Sequence, residues 1–149
     1  MQEKKKIYFI DAYALIFRGY YAFIKNPILN SKGLNTSAVY GFMNSLLDLI
    51  KRENPKYIGV CFDKGGSVSR SEIFSDYKAN RLETPEAITL GIPYIKKILT
   101  AMDISTVEIE GYEADDIIGT LAKKAEKDDF SVFMAVSYTH LRAHETRRY

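Results

Sequence analysis

Tyr57-Ile58-Gly59-Val60-Cys61-Phe62-Asp63 is an apolar run closed by a single carboxylate. It reads as a buried strand over 57–62, with Asp63 at its carboxyl end. Asn54-Pro55 ends whatever helix comes before it. On that side, Thr36 or Asn35 can cap a helix running to about Arg52. Its apolar positions Val39, Phe42, Met43, Leu46, Leu47 and Ile50 follow the 3–4 spacing of a buried face. Further back, Asn26-Pro27 and Asn30-Ser31-Lys32-Gly33 punctuate a loop or hairpin. Ala12–Phe23, with Leu15, Ile16 and several aromatics, reads as a helix. Ile7–Ile10 reads as a first strand, directly followed by Asp11.

On the other side of the run, Lys64–Thr84 changes character. It is polar and basic, with Arg70, Lys78 and Arg81 spaced among Phe74 and Tyr77. Pro85 opens a helix to about Met102, Thr106–Glu110 reads as a third strand, and Gly111 turns the chain. Tyr112 leads into a helix through about Lys127, and Ser131–Val136 is the fourth strand. Strands alternating with helices specify an α/β fold: a mostly parallel central sheet with helices on both faces.

In such sheets ligands bind beyond the carboxyl ends of the strands. Asp11 and Asp63 both stand at carboxyl ends, and the turn after the third strand delivers Glu113, Asp115 and Asp116. Five carboxylates in one crevice repel one another, and divalent cations relieve the repulsion. Oxygen ligands suit Mg²⁺ or Mn²⁺, and a pair of such ions can activate water and stabilise the leaving oxygen of a phosphodiester. A plainer role exists for each group taken alone. Acids in a first helical turn favour the helix dipole and its unpaired N–H groups, and Asp11 or Asp63 suits a cap or turn. The shared placement favours the metal. Arg70, Lys78 and Arg81 with their aromatic neighbours suit single-stranded nucleic acid, where bases stack and phosphates pair with cations. A merely solvated polar stretch is the plainer alternative there.

Composition narrows the classes. A chain of 149 residues with 46% hydrophobic and 27% charged residues is a globular domain. The formal net charge is +2, but Arg142, Arg147 and Arg148 against Glu145 account for it, and residues 1–137 balance 18 basic against 18 acidic side chains. Overall charge therefore carries no argument for nucleic acid; only its distribution does. The single Cys61 excludes an internal disulfide and reads as a buried, inert thiol. With no Cys/His cluster, zinc is disfavoured. Lys4-Lys5-Lys6 before Ile7-Tyr8-Phe9-Ile10 resembles a leader, but Asp11 and Arg18 break the apolar run. Nothing approaches a membrane span, and a cytoplasmic protein with no membrane partner is expected. The chain contains no GxxxxGK[ST], no GxGxxG after the first strand and no GxSxG. Asp11-Ala12-Tyr13 lacks the second aspartate of an aspartyl-phosphate phosphatase.

Four stretches carry a family resemblance: Ile10-Asp11-Ala12-Tyr13-Ala14-Leu15-Ile16-Phe17-Arg18; Asn30-Ser31-Lys32-Gly33-Leu34-Asn35-Thr36-Ser37-Ala38-Val39-Tyr40-Gly41-Phe42; Tyr77-Lys78-Ala79-Asn80-Arg81; and Gly111-Tyr112-Glu113-Ala114-Asp115-Asp116-Ile117-Ile118-Gly119-Thr120-Leu121-Ala122. Together they resemble the amino-terminal 5′-nuclease domain family of bacterial DNA polymerase I, from about Lys6 to Val136. The resemblance implies a PIN-like core and a 5′–3′ exonuclease and flap endonuclease acting in replication and repair. It implies two Mg²⁺ or Mn²⁺ ions held by Asp11, Asp63, Glu113, Asp115 and Asp116. It implies an arch over about 64–84 in which Arg70, Lys78 and Arg81 grip the strand near the scissile phosphate and assist catalysis, with Tyr77 stacking on a base. The implied partners are DNA with a 5′ flap or nicked end and the RNA primer of an RNA–DNA hybrid. The implied state is a monomer in the bacterial cytoplasm, associated with the nucleoid.

Two departures accompany the resemblance. Ser69 stands where this family usually has Phe. After the fourth strand the family continues with Gly and an Asp-x-Asp pair, whereas this chain has Tyr138, Thr139, His140 and Leu141. Residues 138–149 contain no Lys and 3 Arg, against 14 Lys and 4 Arg before them, and resemble translated sequencing-adapter read-through. We therefore expect a partial exonuclease domain over 1–137, incomplete at its carboxyl end, followed by a non-native tail. His140 and His144, at i and i+4, are discounted as ligands in that setting. The alternatives are an inactive, truncated remnant that binds nucleic acid, and a related ribonuclease of the same broad fold.

Overall fold

The computed structural model describes residues 2–64 and 84–135. Within them the order is β1 (Lys5–Asp11), α1 (Ala12–Ala22), α2 (Ser37–Glu53), β2 (Tyr57–Lys64), α3 (Glu86–Ala101), β3 (Ser105–Glu110), α4 (Ala114–Lys127) and β4 (Phe130–Ala135). The four strands are parallel, in the order β3-β2-β1-β4. From β1 the chain winds outward through β2 to β3, then crosses back to place β4 on the other side of β1. The winding reverses between β1 and β4, which makes the carboxyl edge there a switch point.

Strand alternation sorts the core into two halves. Tyr8 and Ile10 of β1 and Val60 and Phe62 of β2 pack with Leu15, Ile16, Phe42, Leu46, Leu49, Ile88, Ile95 and Leu99. Phe9 and Cys61 pack on the opposite face with Ala114, Ile117, Ile118, Ala122 and Ala125. Helices α1, α2 and α3 thus cover one face and α4 the other, as the alternating pattern predicts. Strands buried on both faces read as continuous apolar runs, which is why β1 and β2 stand out in the sequence. The edge strand β3 is mostly exposed.

The buried face of α2 differs from the expected one. Leu47 is 49% exposed, while Leu49 is 2% exposed and belongs to the core. Ala38, Phe42, Leu46 and Leu49 form a narrower stripe, and Val39, Met43 and Ile50 flank it. The capping expectation divides between both residues. Thr36 holds the N-cap position, but its hydroxyl donates to the Ile28 carbonyl at 3.0 Å. Asn35 Oδ1 accepts from the Ser37 N–H at 3.0 Å. The buried Ser37 Oγ accepts from the Ile28 N–H at 2.9 Å, tying the preceding loop to the helix. In that loop Asn30 Oδ1 accepts from the N–H groups of Lys32 and Leu34, and Leu29 bridges Asn35 antiparallel. The punctuated stretch is indeed a small hairpin.

Helices α1 and α2 meet backbone to backbone. A Cβ added to Gly41 would stand 2.3 Å from the Gly19 Cα, and one added to Gly19 would stand 2.8 Å from the Gly41 Cα. Both obstacles are main chain and cannot rotate away. We expect Gly41→Ala to destabilise the fold by about 3 kcal/mol, read as a lower urea midpoint at unchanged slope.

At the amino edge, Tyr8 is 4% exposed, stacks on Phe133 at 5.0 Å and donates its hydroxyl proton to Glu53 Oε2 at 3.1 Å. Burial, then the Glu53 bond and charge, raise the phenol above its ordinary value. An acid held protonated in the folded state adds stability that is complete below its unfolded pKa of 10 and lost as pH rises through the folded value. Urea titrations at pH 8 and 11 should therefore show a steeper alkaline loss for the unsubstituted chain than for Tyr8→Phe.

Candidate metal centre at the carboxyl edge

The parity that sorts the core also aims the acids. Asp11 continues the Ile7-x-Phe9 series and Asp63 continues the Cys61 series, so both strand-end carboxylates fall on the α4 side of the sheet. The register offsets them: Asp11 pairs with Cys61, so Asp63 reaches two residues further out. Asp63 Oδ1 accepts a hydrogen bond from the Ala114 N–H, the first residue of α4. Asp11 is also the N-cap of α1, its Oδ1 accepting from the Ala14 N–H at 3.2 Å. Asp11 thus fills the cap role that the sequence offered it, at the end of a strand whose parity aims it to the α4 side.

Gly111, at φ +83°, turns β3 into α4. Its N–H donates to the Lys64 carbonyl at 3.1 Å, and the Lys64 N–H donates to the Tyr112 carbonyl at 3.4 Å. The turn is thereby tied to the end of β2. Glu113 follows at the N-cap of α4, where its side chain makes no capping bond. Carboxylate oxygens of Glu113, Asp115 and Asp116 lie within 4.8 Å of one another. Glu113 is only 9% exposed, Asp115 is exposed and Asp116 half-buried. One oxygen of Asp115 accepts from the Asp116 N–H at 2.8 Å.

The electrostatics link this trio to the strand ends. Burial raises the Asp11 carboxyl above its usual range; the Ala14 bond opposes that, and the charges of Asp63 and Asp115 reinforce it. Burial, and then the Asp11 charge, push the Cys61 thiol up to about 12, which makes it the inert core residue expected. A group of clustered oxygens carrying like charges that repel one another fits a hard divalent cation, and the donor set is all oxygen.

All five acids stand at one edge of the sheet, and Glu113, Asp115 and Asp116 are the three whose carboxylate oxygens lie within 4.8 Å of one another. Arg70, Tyr77, Lys78 and Arg81 lie outside the described residues, as do Ser69 and the stretch 138–149 with His140 and His144. On the opposite face of the same edge is a group that sequence reading overlooked. Tyr13 meets Phe62 edge-on at 6.2 Å, and Lys96 Nζ lies 5.0 Å from the Phe62 ring while bonding Glu108 at 2.8 Å. The Tyr13 phenol is raised by burial and then by Asp63 and Glu108. Its position two residues after Asp11 was the available signal.

Removing a charge from this cluster should stabilise the metal-free fold. Asp11→Asn keeps an acceptor for Ala14 and removes the charge facing Asp63 and Asp115. We expect a gain on the order of 1 kcal/mol at neutral pH in EDTA, read as a higher Tm. The gain should vanish below the ordinary carboxylate range, where the unsubstituted side chain is itself neutral.

Residues 6–137 match the family described as 5′-3′ exonuclease, N-terminal resolvase-like domain. The chain is 44% identical over 133 residues to DNA polymerase I of Bacillus subtilis, an alignment covering 89% of this chain and 15% of that protein. It is 40% identical over 128 residues to the 5′-3′ exonuclease of Aquifex aeolicus, covering 86% of this chain and 44% of that one. The chain thus spans less than half the length of either relative. Among solved structures, T5 5′-exonuclease with bound zinc superposes with a TM-score of 0.61 at 24% identity, over 87% of this chain and 48% of that one. The T5 flap endonuclease in complex with DNA and metal ions gives 0.61 at 23% identity, over 91% and 50%. Those two likenesses establish the fold. The sequence matches go further: the chain belongs to the N-terminal, resolvase-like domain family of 5′-3′ exonucleases, a family of hydrolases shared with DNA polymerase I.

Proposed function

We propose that this domain hydrolyses phosphodiesters at DNA 5′ ends and flaps, with two Mg²⁺ or Mn²⁺ ions held by Asp11, Asp63, Glu113, Asp115 and Asp116. One observation carries the reading. Two strand-end aspartates fall on the face that α4 covers, and the start of α4 contributes three more carboxylates, with Asp63 bonded to its first N–H. Bound there, divalent cations supply Lewis acidity that activates water and steadies the leaving oxygen.

The chain's own residues do the rest. Asp63 and Asp11 each commit one oxygen to a backbone N–H, which restrains the carboxylate and leaves its second oxygen outside that bond. Arg70, Lys78 and Arg81 would position the phosphate and add electrostatic stabilisation, and Tyr77 would stack on a base. No side chain serves as a covalent nucleophile. Metal binding and DNA binding in the T5 nucleases support the reading by analogy of fold. The natural substrates would be DNA flaps, nicks and RNA primers, met by a monomer working as part of DNA polymerase I. Among the described residues no helix is long and apolar enough to cross a membrane.

A second reading rests on Tyr138-Thr139-His140-Leu141, which stand where the family that the chain resembles continues with Gly and an Asp-x-Asp pair. In that reading residues 1–137 bind DNA without cutting it, and 138–149 add nothing.

A 5′-labelled flap substrate separates the two. The nuclease reading expects Mg²⁺-dependent release of the 5′ end, reduced at least about 100-fold by Asp115→Asn. Binding without cleavage would favour the second reading. Preference for RNA over flap DNA would instead indicate a ribonuclease of this fold.

A further inference from the structure

Five tyrosines among the described residues are at least 39% exposed: Tyr21, Tyr40, Tyr57, Tyr94 and Tyr112. Four of them have a local use for the ring. Tyr21 meets Tyr20 and Phe17, Tyr40 meets Phe23, Tyr57 meets Phe130, and Tyr94 lies under Lys97. Tyr112, the most exposed at 54%, has no ring contact among the described residues. It is also the one beside the acid cluster, immediately before Glu113.

Its backbone, by contrast, is held firmly. The Tyr112 N–H donates to the Ile109 carbonyl at 3.1 Å, its carbonyl accepts from Lys64 N–H, and Gly111 next to it is bonded to Lys64. The ring is therefore carried on a turn anchored to both β2 and β3. A large apolar face kept in solvent forgoes the gain of burial. On a rigid turn it costs little to order when a ligand covers it. The ligand must tolerate five neighbouring carboxylates, which a phosphate alone does not. A nucleobase offers a neutral π-face that stacks on tyrosine irrespective of sequence.

We propose that Tyr112 is a substrate-positioning residue: its ring stacks on an unpaired base flanking the phosphate held at the acid cluster. This rests on the nuclease reading above and specifies how the strand is oriented at that site. It fits a single-stranded end, because a base within a duplex is already stacked on both sides.

The test uses the full chain and an oligonucleotide with a 5′ single-stranded end carrying 2-aminopurine at its unpaired positions. Ca²⁺ replaces Mg²⁺ to neutralise the site without turnover. We expect quenched 2-aminopurine fluorescence on binding, retained by Tyr112→Phe. Tyr112→Leu and Tyr112→Gln should lose the quench and bind roughly tenfold more weakly, with Tm unchanged. Equal quenching and affinity in all variants would overturn this proposal and leave the nuclease reading intact. If the unsubstituted chain binds no oligonucleotide, both fall together.

Discussion

The hydrogen bond from the Ala114 N–H to the Asp63 carboxylate joins the two halves of the acid site. One partner is the end of a strand and the other the first turn of a helix 51 residues later. A helix start has N–H groups without intrahelical partners, and a strand-end carboxylate supplies one of them with an acceptor. The same contact fixes where α4 begins relative to the sheet. Glu113 on one side of Ala114 and Asp115 and Asp116 on the other inherit their positions from it.

That contact holds together a group that repels itself. Asp11 carries the strain most visibly, its carboxyl raised by burial and by neighbouring charges. The fold tolerates this because the apolar body of the sheet lies immediately beneath. Phe9 and Cys61 precede Asp11 and Asp63 on the same face, and Ile117 and Ile118 of α4 close over them. A ring of acids set on a dry, well-packed base has little freedom to spread apart. Unfavourable charge held in place in this way is what a divalent cation would relieve.

Much of this was legible in the residues. Runs such as Ile7–Ile10 and Tyr57–Phe62 are buried on both faces, so they read as strands without alternation. The acids at their ends follow from the same runs, since a buried parallel strand becomes polar only where it leaves the core. Contacts between elements were less legible. Leu47 and Leu49 are chemically equivalent, and how α2 seats against α1 and α3 decides which is buried. Nothing in the residues around Gly19 and Gly41 shows that the two backbones meet there. The group of Tyr13, Lys96 and Glu108 was hidden because its members come from three elements distant in sequence.

The Gly19–Gly41 crossing has a mechanical consequence. Helix α1 runs from its cap at Asp11 to that crossing, about 10 Å along the axis. The crossing is a fulcrum and Asp11 sits at the tip of the lever. A tilt of about 5° at the fulcrum would swing the tip by roughly 1 Å, enough to spoil a coordination geometry or a phosphate's alignment. Two residues with no side chain, remote from the carboxyl edge, thus bear on where Asp11 stands relative to the other acids.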